Sequence, residues 1–140
     1  MNDDARREPL DLVNPPDLGK PRGFAHGLLA PAAGRILFVA GQTATDSEGR
    51  ITSHAFSHQF ETALSRVLAV VRAAGGSPEH IARMTVYVTS IQQYRDSRPA
   101  LRSIWLRNVG AHYPSMTLVQ VTALLDDDAE VEIDAMAVVP

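Results

Sequence analysis

Residues 35–41 read Arg-Ile-Leu-Phe-Val-Ala-Gly (RILFVAG), and this stretch decides the fold. The run from Ile36 to Ala40 is apolar at every position, and successive side chains of a β-strand point to opposite faces. A strand that is apolar on both sides is typically buried on both faces of its sheet. The sequence therefore predicts that each side of this strand's sheet is covered.

Two amphipathic helices follow this strand in the sequence. Residues 55–74 carry an apolar stripe at spacings of three and four, and the glycine pair at 75–76 is a typical helix end. We expect the second helix to begin at Ser97, with Pro99 in its first turn, and to end at Gly110. Both helices would bury one face against the sheet.

The remaining segments predict five or six strands around these helices. Besides residues 35–41, the extended segments are 23–30, 50–52, 81–89, 115–125 and 129–139. This order predicts an α+β fold in which the helices cover one side of a sheet. Two helices cannot cover both sides, so we expect another copy of the chain to bury the second face. Ligand pockets tend to lie at such boundaries.

Length and composition exclude several classes of protein. The chain has 140 residues, no cysteine and a net charge of −3. The missing cysteine excludes a thiol nucleophile and a disulfide scaffold, and the net acidity argues against a dedicated nucleic-acid binder. Because no apolar run approaches the roughly 20 residues that span a bilayer, we expect no membrane association. The N-terminus does not read as a secretory signal, which favours the cytoplasm.

The chain is predicted to hold one domain. Residues 1–13 are charged and aperiodic and are expected to form a disordered tail, whereas residues 14–140 form the domain. No metal site is expected, because His54 and His58 share a helical spacing without an acidic third ligand.

Glu132 is the carboxylate that the pattern singles out. It lies on the last strand, on the face that it shares with Met136 and Val138. If that face is an interface, Glu132 is partly desolvated, which raises the pKa of a carboxyl group and suits a general acid or base. The alternative is a structural carboxylate, satisfied by backbone amides or by an arginine across the interface.

Six segments of the chain resemble the RidA (YjgF) family of reactive intermediate deaminases. They are residues 23–27 (GFAHG), 35–42 (RILFVAGQ), 59–64 (QFETAL), 83–89 (RMTVYVT), 113–121 (YPSMTLVQV) and 131–138 (VEIDAMAV). The resemblance covers residues 14–140 and implies a chorismate-mutase-like fold, a mixed six-stranded sheet with two helices on one face. It also implies a homotrimer with a central β-barrel and ligand clefts between subunits.

The resemblance further implies a reaction and a set of site residues. Deaminases of the family hydrolyse imines and enamines to 2-keto acids and ammonia without a cofactor. Glu132 matches the glutamate that positions water, and Gly41 is kept. Met116 stands where an arginine of the family holds the substrate carboxylate, and a thioether cannot replace that bidentate contact. Leu118, two residues later, is expected to be a further substrate-binding residue. The other departures are Phe24 in place of a tyrosine and Ala40 in place of a serine.

Three functions stay open at this point. The first is a trimer that binds another small metabolite in a more apolar cleft and hydrolyses a C–N bond with water held by Glu132. The second is a 2-imino acid deaminase in which Arg98 replaces the missing arginine, with His26 as a further donor or base. The third is a ligand-binding or regulatory trimer without catalysis. Some relatives are associated with RNA, but the net acidity gives no support for RNA binding here.

Overall fold

The structure is a computed structural model that describes residues 10–140. This part of the chain holds six strands and two α-helices, with single-turn 3-10 helices at Pro16–Leu18 and Pro78–His80. The elements are β1 (Asp11–Val13), β2 (Gly27–Leu29), β3 (Arg35–Gln42), α1 (Phe56–Ala73), β4 (Ile81–Val88), α2 (Ile91–Asn108), β5 (Ser115–Gln120) and β6 (Val131–Val139).

The six strands form two sheets, so the prediction of a single six-stranded sheet was wrong. The larger sheet has the order β3-β6-β4-β5 and is mixed, because only β4 and β5 are parallel. The smaller sheet is an antiparallel pair of β1 and β2. The strand predicted over 23–30 is shortened to three residues. Its partner β1 comes from the segment predicted to be a disordered tail, of which residues 1–9 lie outside the described residues.

The second helix begins seven residues before the predicted start, with its N-cap at Ser90 instead of Ser97. The Ser90 side chain accepts a hydrogen bond from the backbone N–H of Gln93 at 3.1 Å, as is typical of an N-cap. Pro99 therefore lies inside α2. Proline removes one backbone hydrogen bond from a helix, and here it does so on the exposed side of α2.

Strand β5 ends at Gln120 and not at residue 125 as predicted. The next ten residues form a loop that returns the chain to the opposite edge of β4, where β6 pairs with it antiparallel. The short extended piece at 50–52 is reduced to a single bridge between Thr45 and Ile51. The apolar loop residues Val121 to Leu125 account for the overextended prediction, because they continue the strand-like composition.

Both helices contribute to one core on the same side of the larger sheet, as predicted. The buried side chains of β6 are Val131, Ile133, Ala135, Ala137 and Val139. They join the apolar stripe of α1 and the α2 residues Leu101, Ile104 and Trp105 in one cluster. No helix of residues 10–140 is long and apolar enough to cross a bilayer.

The other side of the larger sheet is not covered by any element of residues 10–140. On β3, Val39 is buried beneath the helices, whereas Ile36 and Phe38 on the opposite side are 61% and 72% exposed. Met136, the cross-strand partner of Phe38, is exposed on the same side. Residues 35–41 are thus apolar on both faces of the strand because one face packs on the core and the other is left uncovered by the rest of residues 10–140. We call this second face the outer face.

Candidate functional site

Glu132 lies on the outer face, where the backbone of Gly41 makes room for it. The β3–β6 register is interrupted between Val39 and Gln42, which brings Gly41 beside the Glu132 side chain. A Cβ built on Gly41 would overlap the Glu132 carboxyl group, with the Glu132 Cδ only 2.9 Å away. Glycine at position 41 therefore lets the carboxyl group lie directly against the backbone.

The surroundings of Glu132 favour its protonated form. Partial burial raises the pKa of the Glu132 carboxyl above its ordinary value, and the nearby Asp126 and Asp134 carboxylates raise it further. The cross-strand neighbour Tyr87 donates its hydroxyl to Asp134 Oδ2 at 3.4 Å, and the Thr43 hydroxyl donates to Asp126 Oδ2 at 2.6 Å. Each of the two neighbouring aspartates is thus held by a hydroxyl. A carboxyl group with a raised pKa is suited to accept a proton and return it in general acid–base catalysis.

Gln59 of α1 fixes the loops on either side of this carboxyl group. Its buried side-chain amide donates to the carbonyls of Ser53 at 2.9 Å and Asp128 at 3.0 Å. Its amide oxygen accepts the backbone N–H of Glu130 at 2.9 Å. The loop that carries Asp126 is therefore tied to the helix layer just before β6 begins.

A cavity of about 370 Å³ lies between α2 and strands β4 and β5. Met116 and Leu118 line it from β5, and Arg98 and Arg102 line it from α2. Met116 pairs with Met84, whose side chain is fully buried, so these β5 side chains lie on the helix side of the sheet. The remaining lining residues are Gly23, Phe60, Val86, Tyr94, Leu101, Trp105 and Tyr113. Three predicted substrate-binding residues are thus brought together in one cavity.

Glu132 and Met116 lie on opposite faces of the same sheet. Glu132 pairs with Tyr87, which in turn pairs with Val119 on β5. Side chains in register share a face, so Glu132 is on the side of Val119, and Met116 is on the opposite side. A single chain therefore does not bring the carboxyl group of Glu132 to the cavity lined by Met116.

The other predicted site residues lie apart from this cavity or beside Glu132. Phe24 lines a separate cavity of about 850 Å³ under the β1–β2 hairpin, with its ring 5.2 Å from that of His26 in an edge-on arrangement. The His26 Nε2 lies 3.0 Å from the Gly19 carbonyl, and His26 lines neither cavity. Because a carbonyl only accepts, this nitrogen is the donor. Ala40 is exposed on β3 directly before Gly41.

Sequence reasoning missed two features of the site. Arg102 was not among the predicted site residues, although its spacing of four residues from Arg98 places both on one helix face. The contribution of Asp126 was also missed, because no local pattern links a loop aspartate to a strand residue. Within residues 10–140, no group of three His, Asp or Glu side chains is arranged to hold a metal ion.

Known proteins resemble this chain in sequence and in fold. A family model described as Endoribonuclease L-PSP matches residues 23–139. The chain belongs to this family, known as RidA/YjgF. Among curated relatives, a 2-iminobutanoate/2-iminopropanoate deaminase of Salmonella typhimurium is 28% identical over 105 residues, which is 75% of this chain and 80% of the relative. A RutC family protein of Pyrococcus horikoshii is also 28% identical, over 106 residues, with the same coverage.

Solved structures of RidA/YjgF proteins confirm the α+β fold. YyfB of Yersinia pestis, described as a member of the conserved Rid protein family, superposes with a TM-score of 0.80 at 26% identity, covering 94% of this chain and 99% of that one. TdcF of Escherichia coli, solved with bound serine, gives a TM-score of 0.67 at 28% identity, covering 87% and 92%.

Proposed function

We propose that this RidA/YjgF protein hydrolyses the C=N bond of a small imine, or of its enamine tautomer, with a water molecule held by Glu132. The observation that carries the proposal is the Glu132 carboxyl group, held against Gly41 with a raised pKa. The deaminase named among the relatives supports this reaction class. No cofactor is needed, because water and a proton-transfer group suffice.

The proposed reaction balances with one carboxyl group. Glu132 in its ionised form takes a proton from water as the water oxygen bonds to the imine carbon, and the C=N π electrons move to nitrogen. Glu132 returns that proton to the nitrogen, which gives a carbinolamine. Glu132 then takes the proton of the carbinolamine hydroxyl and passes it to the nitrogen, so that the C=O bond forms as the C–N bond breaks and its electron pair leaves on nitrogen. The products are a carbonyl compound and ammonia. Because the same carboxyl group removes and returns the proton, a raised pKa makes its acid form a more available proton donor than that of an ordinary glutamate.

The proposed assembly is a homotrimer in which the outer faces seal one another. Ile36, Phe38 and Met136 leave an exposed apolar patch on each chain, and burying apolar area favours association. Since Glu132 and Met116 lie on opposite faces of one sheet, a site using both must draw them from different copies. The trimer would place the Glu132 of one subunit at the cavity of its neighbour.

The methionine at position 116 leaves two substrate classes open, which define two versions of the proposed function. Met116 offers no charge for a substrate carboxylate, which favours a metabolite that binds to a more apolar cleft. The second version is a 2-imino acid deaminase in which Arg98 supplies the cation. The placement of Arg98 in the same cavity as Met116 favours this version.

A coupled assay tests the proposal. An L-amino-acid oxidase generates 2-imino acids from a panel of amino acids, and the rate of keto-acid formation is compared with and without the protein. We expect acceleration by the wild type and a loss of about 100-fold or more in Glu132→Gln, a typical contribution of a general base. Asp127→Asn, on the exposed loop before β6, is the matched control and should keep full activity. Full activity of Glu132→Gln, or no acceleration with any imine, contradicts the proposal and favours a binding role.

A further inference from the structure

Two arginines of α2 line the cavity to which Met116 also contributes. Arg98 and Arg102 are one helical turn apart, and both line the cavity of about 370 Å³. The Arg98 guanidinium carbon lies 5.9 Å from the centre of the Tyr94 ring, a cation–π distance that helps to fix this side chain. Both arginines are thus aligned along one side of the cavity.

Within the part of the chain that the structure describes, no carboxylate neutralises this pair. The ion pairs found among residues 10–140 involve Arg50 and Arg107, and neither Arg98 nor Arg102 has a carboxylate oxygen within 4.0 Å in that part of the chain. Among the described residues, no acidic side chain lines the cavity. Two adjacent positive charges without a counter-ion form an anion-binding arrangement, because guanidinium groups match carboxylate geometry through paired N–H donors.

The rest of the cavity wall is apolar and aromatic. Phe60, Leu101 and Trp105 are buried members of the core, and Tyr113 stacks on Trp105 at a centroid distance of 5.7 Å. The volume is near the lower end of the range for small-molecule sites, roughly 300–1,000 Å³. This combination fits a small ligand with one anionic end and one bulky apolar end.

We infer that the substrate of this site is a carboxylate with an aromatic or branched apolar side chain, held by Arg98 and Arg102 in place of a strand arginine. The inference rests on the second version of the proposed function and narrows it to 2-imino acids with large apolar side chains. Met116 and Leu118 contact the apolar part, because they are the thioether and aliphatic groups on the cavity floor. The two helix arginines contact the carboxylate.

Binding of an unreactive probe tests the inference apart from catalysis. The probe is 3-phenylpropanoate, which is titrated into the full-length protein in a calorimeter. Two compounds serve as controls: propanoate lacks the aromatic ring, and 3-phenylpropanamide lacks the negative charge. We expect 3-phenylpropanoate to bind at least tenfold more tightly than either control. Arg98→Gln and Arg102→Gln should each weaken binding by about tenfold or more, since each removes a charged hydrogen-bond donor. Arg95→Gln, an exposed arginine of the same helix outside the cavity, should change it less than twofold.

The outcomes separate this inference from the proposed reaction. Equal binding of the three probes, or unchanged binding in Arg98→Gln and Arg102→Gln variants that unfold like the wild type, overturns the inference. If the protein hydrolyses only 2-imino acids with small side chains, and this activity depends on Glu132, the inference is also wrong but the proposed reaction stands. If 3-phenylpropanoate binds through both arginines while no imine is hydrolysed, the inference stands and the proposed reaction is wrong.

Discussion

At the scale of single residues, the hydrogen atom that serves as the side chain of Gly41 allows the Glu132 carboxyl group to lie against β3. An added Cβ would approach the Glu132 Cδ to 2.9 Å, closer than real Cβ contacts. The chain can relieve this contact by rotating the flexible Glu132 side chain away. The main effect of a larger residue at 41 should therefore be a misplaced carboxyl group instead of an unfolded protein.

We predict that Gly41→Ala lowers imine hydrolysis by tenfold or more, because displacement of a catalytic group by about 1 Å can cost about 100-fold. Its thermal midpoint should stay close to that of the wild type. The measurement is the coupled oxidase assay together with thermal unfolding.

The double variant provides the control for this prediction. If Gly41 acts only through Glu132, adding Gly41→Ala to Glu132→Gln should cause no further loss of activity. Additive losses in the double variant would show that position 41 matters for another reason.

The pH dependence of the reaction follows from the raised pKa of Glu132. Because the ionised form accepts the proton from water, activity should fall as the pH drops through that raised pKa. Asp134→Asn removes one of the negative charges that raise the pKa, so the acidic limb of the pH–rate profile should move to lower pH. It should remain above the ordinary range of a glutamate, because partial burial is the larger cause. The control Asp127→Asn should leave the profile in place, and an unmoved limb in Asp134→Asn would contradict the assigned role.

The same shift has a consequence for folding. A carboxyl group with a raised pKa in the folded state favours folding while it is protonated, and this contribution is lost as the pH rises through the folded pKa. Once the pH exceeds the folded-state pKa, ionised Glu132 therefore opposes folding, which is typical of a group retained for its chemistry. Alternation on β6 was enough to predict the face on which Glu132 lies, since only the two faces of one strand were involved. Its desolvation was predicted only for an interface between copies, whereas the single chain already buries it in part. The charge of Asp126 could not be predicted, because it arrives from a loop.

At the scale of secondary structure, short-range signals placed most elements but misplaced their ends. Helix α1 agrees with its predicted span to within a residue at each end, because its apolar stripe and closing glycines act locally. Helix α2 was placed too late, because Ser97 and Pro99 form a plausible helix start and Ser90 lacks a strong apolar pattern behind it. The hydrogen bond from Gln93 to Ser90 decides the start, and no periodicity reveals it.

Gln59 shows how an element can hold the site loops, and it yields a prediction for stability. Replacement by leucine would leave two carbonyls and one N–H without their partner at the ends of the 43–55 and 121–130 loops. We expect Gln59→Leu to lower the free energy of unfolding by about 2–4 kcal/mol, since each buried unsatisfied group costs about 1–3 kcal/mol and the loops recover some hydration. Urea unfolding measures this change. Ser65→Ala, which removes an exposed hydroxyl from the same helix, is the control and should cost less than about 0.5 kcal/mol.

At the scale of the whole molecule, residues 35–41 predicted more than a strand. Their apolar character on both sides indicated that a second copy must bury one face, and the structure shows that the chain leaves Ile36 and Phe38 uncovered. The division of the six strands into sheets of four and two could not be predicted. It depends on pairing between β1 and β2, which are each only three residues long. The separation of Glu132 and Met116 onto opposite faces also needed the register of three strands.

The last prediction concerns assembly and connects it to activity. Phe38 is the most exposed large apolar side chain of β3, and it pairs with Met136 in the middle of the outer face. Phe38→Glu would place a charge where another copy must exclude water, and burying an unpaired charge is strongly unfavourable. We expect the wild type to be a trimer at micromolar concentration by light scattering after gel filtration, and Phe38→Glu to be a folded monomer. That monomer should also lose imine hydrolysis, because its Glu132 no longer meets the cavity of a neighbour.

Leu106→Glu, at an exposed leucine of α2 on the helix side, is the matched control and should remain an active trimer. A monomeric wild type, or a monomeric Phe38→Glu with full activity, would show that each chain builds its site alone.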